Sequence, residues 1–194
     1  MYIFFDTETN GLPKNYNAQS TDVNNWPQII QIAWAMYDEN EKIVREENYL
    51  IDVPFDFEMN EKAQEIHGFS KDTITKYGIC IESAMKRFAQ ACSQSSIIIA
   101  HNMNFDSNIV LCEMERLELK NEMITFENVV KFCTMEESKE FVGIKNSFGY
   151  KWPKLQELHE KLFNEGFDNA HDAMVDIRAT AKCYFELKRL NIIL

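Results

Sequence analysis

The stretch "FFDTETNGLP", residues 4–13, sets two carboxylates one residue apart at the end of an apolar run. The residues leading into it, "YIFFD" (2–6), read as a buried strand. Strand side chains alternate between faces, so Asp6 and Glu8 project from the same side. Like charges that close repel, and a pKa rises unless something positive sits between them. The pair is therefore either a solvated strand end or part of a metal site. The placement of the other carboxylates decides between them.

Working outward, "QIIQIAWAMYD" (28–38) and "KIVREENYLI" (42–51) read as two strands joined by the turn "ENE", an antiparallel hairpin. A long Asn-rich loop (10–27) separates them from the first strand. A short helix is expected near 59–66 and a longer one over 82–93, where Met85, Phe88, Ala89 and Cys92 share a core-facing stripe. "SIIIA" (96–100) has the continuous apolar character of a central strand. Then follow a helix from 104 to 118, an apolar run "NVVKFC" (128–133), a helix beginning near Pro153 and a last helix from 172 to 190. Strands mixed with helices and opened by a hairpin indicate an α/β fold with a mixed central sheet flanked by helices. With 194 residues and no internal repeat, low-complexity tract or Pro/Ser-rich linker, residues 1–194 read as one domain.

Composition narrows the function classes. The charged fraction of 26% and hydrophobic fraction of 45% suit a globular chain, and no apolar run approaches the ~20 residues of a membrane span. The N-terminal "MYIFF" is too short for a secretory leader and lacks a basic flank. Five widely spaced cysteines without a Cys-x-x-Cys pair argue against a disulfide framework or zinc site, so a reducing, cytoplasmic location is expected. The formal net charge of −11 disfavours extensive phosphate-backbone binding but leaves room for a local cation site.

The other carboxylates are placed as awkwardly as the first two. In the last helix Ala173, Ile177, Thr180, Tyr184 and Leu187 form one stripe, and Asp176 lies within the same arc. A lone buried carboxylate costs several kcal/mol unless it is paired or coordinates a metal. On a continuous helix His171 would stand about 140° from Asp176, so a shared site requires His171 in the loop before the helix, with Asp172 near the N-cap. Likewise "IIIAHNMNFD" ends a strand and starts a helix, placing Asp106 in the first turn at the carboxyl end of the sheet, where sites gather in open α/β sheets. Oxygen-only ligands select Mg²⁺ or Mn²⁺ over zinc. Two such ions about 3.5–4 Å apart can activate a water and stabilise a leaving oxygen in phosphodiester cleavage.

"FDTETNG", "HNMNFD" and "HDAMVD" together resemble the three sequence blocks of the DEDDh 3′-5′ exonucleases, the group that includes the bacterial proofreading epsilon-type subunit. Order and spacing agree from residue 2 to about 187. The resemblance implies a ribonuclease H-like fold and release of nucleoside 5′-monophosphates from the 3′ end of single-stranded or frayed nucleic acid, with DNA favoured over RNA. It assigns Asp6, Glu8, Asp106 and Asp176 to two divalent cations and His171 to the general base. It further suggests substrate contacts by Thr7, Leu12 (the apolar wedge after "ETNG"), His67 (in "EIHGFS") and Asn102. A DNA polymerase is a candidate partner, and a membrane is not. The competing readings are an RNase T-like or oligoribonuclease-like RNA trimmer and a non-catalytic, exonuclease-fold subunit of a polymerase complex.

Of the remaining histidines, His101 is expected to be a hydrogen-bonded structural residue and His159, within "LQELHEKLF", to face solvent. Trp26, Trp34 and Tyr37 read as core or loop anchors. From Phe141 to Gln156, "FVGIKNSFGYKWPKLQ" holds Lys145, Lys151, Lys154 and the rings Phe148, Tyr150 and Trp152, with no acid. Cations interleaved with aromatics suit a single strand, while the plainer reading is a loop ahead of a Pro-initiated helix.

Overall fold

The computed structural model describes residues 1–53, 57–168 and 172–193. In chain order the elements are β1 (Tyr2–Thr9), β2 (Ile29–Tyr37), β3 (Ile43–Leu50), α1 (Glu61–His67), α2 (Lys71–Tyr77) and α3 (Ile81–Ser93). These are followed by β4 (Ile97–Ala100), α4 (Met103–Arg116), α5 (Lys120–Asn128), β5 (Val130–Cys133) and α6 (Thr134–Val142). The chain ends with β6 (Lys145–Asn146), β7 (Gly149–Tyr150), α7 (Leu155–Phe163) and α8 (Ala173–Arg189).

Five strands form one sheet in the order β3-β2-β1-β4-β5. The pairs β1–β2 and β2–β3 are antiparallel, whereas β4 runs parallel to both β1 and β5. This is the expected mixed sheet flanked by helices. All nine residues of β2 are buried, because both faces of the sheet are covered.

Alternation along β1 sorts its side chains between two layers. Ile3 and Phe5 join Trp34, Phe88 and Val110 in a core beneath α3 and α4, and Phe126 of α5 packs there too. Phe4 points the other way, into a second core with Ala33, Ile177 and Tyr184, its ring 5.6 Å from that of Tyr184. Asp6 and Glu8 extend the Phe4 face toward α8, and Thr7 extends the Phe5 face toward α4. The expected stripes on α3 and α8 are buried throughout.

Three helices, α2, α5 and α6, lie where no helix was expected. α2 buries Ile74 alone and α5 buries Phe126 alone, so neither carries an amphipathic stripe in its sequence. Tertiary packing holds them in place, through Phe126 with the partly buried Met123 in α5 and through Ile74 with the Ser70 N-cap in α2. The long loop 10–27 is pinned from α4, whose Arg116 guanidinium donates to the carbonyls of Val23 at 2.7 Å and Trp26 at 2.5 Å. No helix among the described residues is long and apolar enough to cross a membrane.

Candidate active site

Carboxylates reach one cleft from three elements and from both layers. Asp6 and Glu8 come from the carboxyl end of β1 and Asp176 from the first turn of α8; one carboxylate oxygen from each lies within 4.8 Å of the others. The α8 N-cap is Asp172, whose Oδ1 accepts from the amides of Met174 (3.0 Å) and Val175 (3.3 Å). Asp176 thus stands in the first turn of α8, at the positive end of its helix dipole.

Asp106 sits in the first turn of α4 and is buried. Its Oδ1 accepts both the amide of Thr7 at 3.1 Å and the Thr7 hydroxyl at 2.7 Å. Thr7 is therefore an anchor that joins the opposite layer to the carboxylate strand. Asn102, the α4 N-cap with a left-handed φ of 78°, turns the chain from β4 into that helix at the cleft wall. Asparagine tolerates this conformation better than most residues.

Burial and crowding move the acids together. Desolvation, followed by the charges of Asp106, Glu8 and Asp176, holds Asp6 well above the usual carboxylate range. Desolvation, with Asp176 and Asp106 next, pushes Glu8 up to about 8. Desolvation raises Asp106 to about 7, opposed by the two bonds from Thr7. Such a crowded, desolvated group of oxygens binds protons tightly, and a hard divalent cation can take the place of those protons. The donor set fits the Mg²⁺ or Mn²⁺ class.

The cleft has a volume of about 510 Å³, and its far wall comes from the start of α7. Lys154, Leu155 and Gln156 line it together with Phe167 and His101. His101 is the structural residue expected: its Nδ1 lies 3.0 Å from the Thr134 hydroxyl and its Nε2 3.0 Å from the Pro153 carbonyl. Burial pushes its pKa down to about 4, so it is neutral near pH 7. Gln156 clamps the main chain of Phe167, donating to its carbonyl at 2.6 Å and accepting its amide at 3.2 Å. Neither this clamp nor the Thr7 anchor was legible in the sequence as such, since each joins residues distant in the chain or separated by a turn. His171 lies outside the described residues.

Other residues singled out in the sequence lie elsewhere. Leu12 is 72% exposed and lines a separate cavity of about 800 Å³ with Asn10, Trp26 and Asn60. His67 is buried at the end of α1; its Nδ1 accepts the Phe69 amide at 3.0 Å and its ring stacks on Phe69. Neither is among the residues lining the carboxylate cleft. His159 is a correction: it is buried, not solvent-facing, with Nδ1 2.8 Å from the Glu165 carbonyl and its ring packed between Phe163 and Phe167. Segment 164–168 folds over the α7 face that the sequence alone left open.

A family model described as an exonuclease, of the RNase T type, matches residues 3–184 and so takes in all four carboxylates. The chain belongs to this exonuclease family. Among curated relatives, the PolC-type DNA polymerase III of Caldanaerobacter subterraneus subsp. tengcongensis is 27% identical over 188 residues, 96% of this chain and 11% of the polymerase. Ribonuclease T of Buchnera aphidicola is 31% identical over 116 residues, 56% of this chain and 47% of that enzyme. The chain thus spans less than half the length of either relative. The solved structure of E. coli exonuclease I in complex with a dA16 oligonucleotide superposes with a TM-score of 0.74 at 17% identity, covering 97% of this chain and 40% of that one. Its zinc-bound complex with single-stranded DNA gives 0.76. These likenesses establish the ribonuclease H-like exonuclease fold for this family member.

Proposed function

We propose that the chain is a metal-dependent 3′-5′ exonuclease that hydrolyses phosphodiester bonds at single-stranded or frayed 3′ ends and releases nucleoside 5′-monophosphates. The observation that carries the reading is the triad of carboxylate oxygens from Asp6, Glu8 and Asp176 within 4.8 Å, in a chain of the exonuclease family. Asp106, anchored by Thr7, is the fourth acid. Asp6, Glu8, Asp106 and Asp176 would hold a pair of divalent cations, which would supply Lewis acidity for phosphodiester hydrolysis.

The chain's own residues do the rest. The buried acids present preorganised negative charge to the cations, and Thr7 and the α8 N-cap fix two of them in position. His171 takes the proton of the attacking water, in the role of general base. Leu12, in the loop after β1, Asn102, at the start of α4, and His67, at the end of α1, contact the terminal nucleotide. DNA is the favoured substrate, supported by the E. coli exonuclease I complexes with dA16 and dT13. The similarity to ribonuclease T supports RNA trimming as the second reading, and that to PolC supports association with a polymerase.

Product analysis on 5′-labelled DNA and RNA of equal sequence, with Mg²⁺, Mn²⁺ or EDTA, tests the reading. Stepwise shortening from the 3′ end with release of mononucleotides is expected with either metal and not with EDTA. Internal cleavage, or intact substrate with both metals, would overturn it.

A further inference from the structure

The three rings of the acid-free segment stand out into solvent. Phe148 is 96% exposed, Trp152 58% and Tyr150 43%. Their backbone is well tied. β6 and β7 pair Lys145 with Tyr150 and Asn146 with Gly149, the Phe148 amide donates to Asn146 Oδ1 at 2.8 Å, and the Lys151 amide donates to the Ile144 carbonyl at 2.8 Å. A two-stranded ribbon gains no core of its own from rings that face outward. Exposed aromatics on an ordered hairpin mark a contact surface.

We propose that this hairpin, with Trp152 at its base, is a stacking platform for the single strand that leads into the carboxylate cleft, a role that rests on the nuclease reading above. Continuity with the cleft is the first argument. The Pro153 carbonyl is bonded to His101, and Lys154, Leu155 and Gln156 line the cleft directly. Phe148 is six residues from Lys154 and therefore within about 20 Å of that wall.

Charge is the second argument. In a chain of net charge −11, residues 141–156 contain three lysines and no acid. Lys145 Nζ lies 5.3 Å from the Tyr150 ring centroid, so cation and ring form one surface. Trp152 also borders a cavity lined by Glu136, Glu137 and Glu140 against the single Lys139, an acidic wall that disfavours phosphate there. The Lys151 ammonium is already engaged by Glu157 at 2.6 Å. Stacking, rather than many ion pairs, is left as the main attraction, which tolerates any base sequence and either sugar.

Trp152 is the exposed tryptophan; Trp34 is buried and Trp26, also buried, borders the other cavity, so the Trp152→Phe control assigns the signal. Tryptophan emission is measured in EDTA with twenty-nucleotide oligothymidylate, twenty-nucleotide oligouridylate and the matching dinucleotides. Quenching by at least one long strand is expected, with little by dinucleotides, and Trp152→Phe should remove the quench. Phe148→Ala should weaken long-strand binding about tenfold, at the lower end of the effect of one stacked base, and raise KM for long strands with kcat for dinucleotides unchanged. No quench by either long strand, or equal binding of long strands by wild type and Phe148→Ala, would overturn the proposal; the latter would assign the rings to a protein partner. Quenching without hydrolysis in Mg²⁺ would leave the platform standing and remove the nuclease reading, while hydrolysis without quenching would do the reverse.

Discussion

Two cavities follow one another along the end of β1, and they differ in chemistry more than in size. The carboxylate cleft, about 510 Å³, is built from Asp6, Glu8, Asp106 and Asp176 around a neutral His101. Its neighbour, about 800 Å³, starts two residues later at Asn10 and is lined by amides, Leu12 and Trp26, with Lys14 and Lys62 balancing Glu58 and Glu61. The smaller cavity crowds four carboxylates with Lys154 at its wall, an arrangement that raises the acids' pKa values and suits a hard cation. The larger one has a charge-balanced surface rich in side-chain amides.

The largest effects should come from the charged cavity. Asp6→Asn or Asp176→Asn should reduce exonuclease activity to background while the protein still folds. Without metal it should melt at a higher temperature than wild type, because one source of repulsion is gone. Activity within about tenfold of wild type, or 1.4 kcal/mol in barrier, would break the contrast between the cavities. His171→Ala should cost about 10²–10⁴ in kcat, the usual worth of a positioned base. Metal affinity measured by calorimetry should stay near the wild-type value, and a loss of affinity would make His171 a ligand instead.

The pH dependence of stability sharpens the same contrast. Glu8 and Asp106 have folded pKa values of about 8 and about 7, above their ordinary 4.5 and 3.8. The folded protein therefore binds their protons more tightly than the unfolded chain does. Their contribution favours folding at low pH and is lost as pH rises through those values. In EDTA the melting temperature should be higher near about pH 6 than near about pH 8.5, and Mg²⁺ should raise it more at the alkaline end. A profile that is flat, or that rises toward alkaline pH in EDTA, would mean the acids are compensated within the protein.

The smallest effect belongs to the amide-lined cavity. Leu12 is exposed, so Leu12→Ala should leave the melting temperature within about 1 °C, consistent with a surface change. KM should rise less than tenfold, about 1.4 kcal/mol, with kcat nearly constant, as expected for a contact made equally in ground and transition states. A fall in kcat with KM unchanged would tie Leu12 to the reacting bond and erase the distinction.

Much of this was written locally in the chain. The β1 strand, the β2–β3 hairpin, the stripes of α3 and α8 and the N-cap at Asp172 follow from alternation, helical periodicity and capping, all short-range rules. Asp6 and Glu8 had to share a face for the same reason. What the tertiary structure alone decided is which distant groups meet. Thr7 reaches across 99 positions to hold Asp106, and the clamp of Gln156 on Phe167 spans a turn. His159 became a core residue because segment 164–168 closed over it, and α2 and α5 are held by packing of few side chains, Ile74 in the one and Phe126 with Met123 in the other. Periodicity reports the face a residue takes on its own element, whereas burial depends on whether another element covers that face; the second is a property of packing between segments remote in sequence, and no local pattern encodes it.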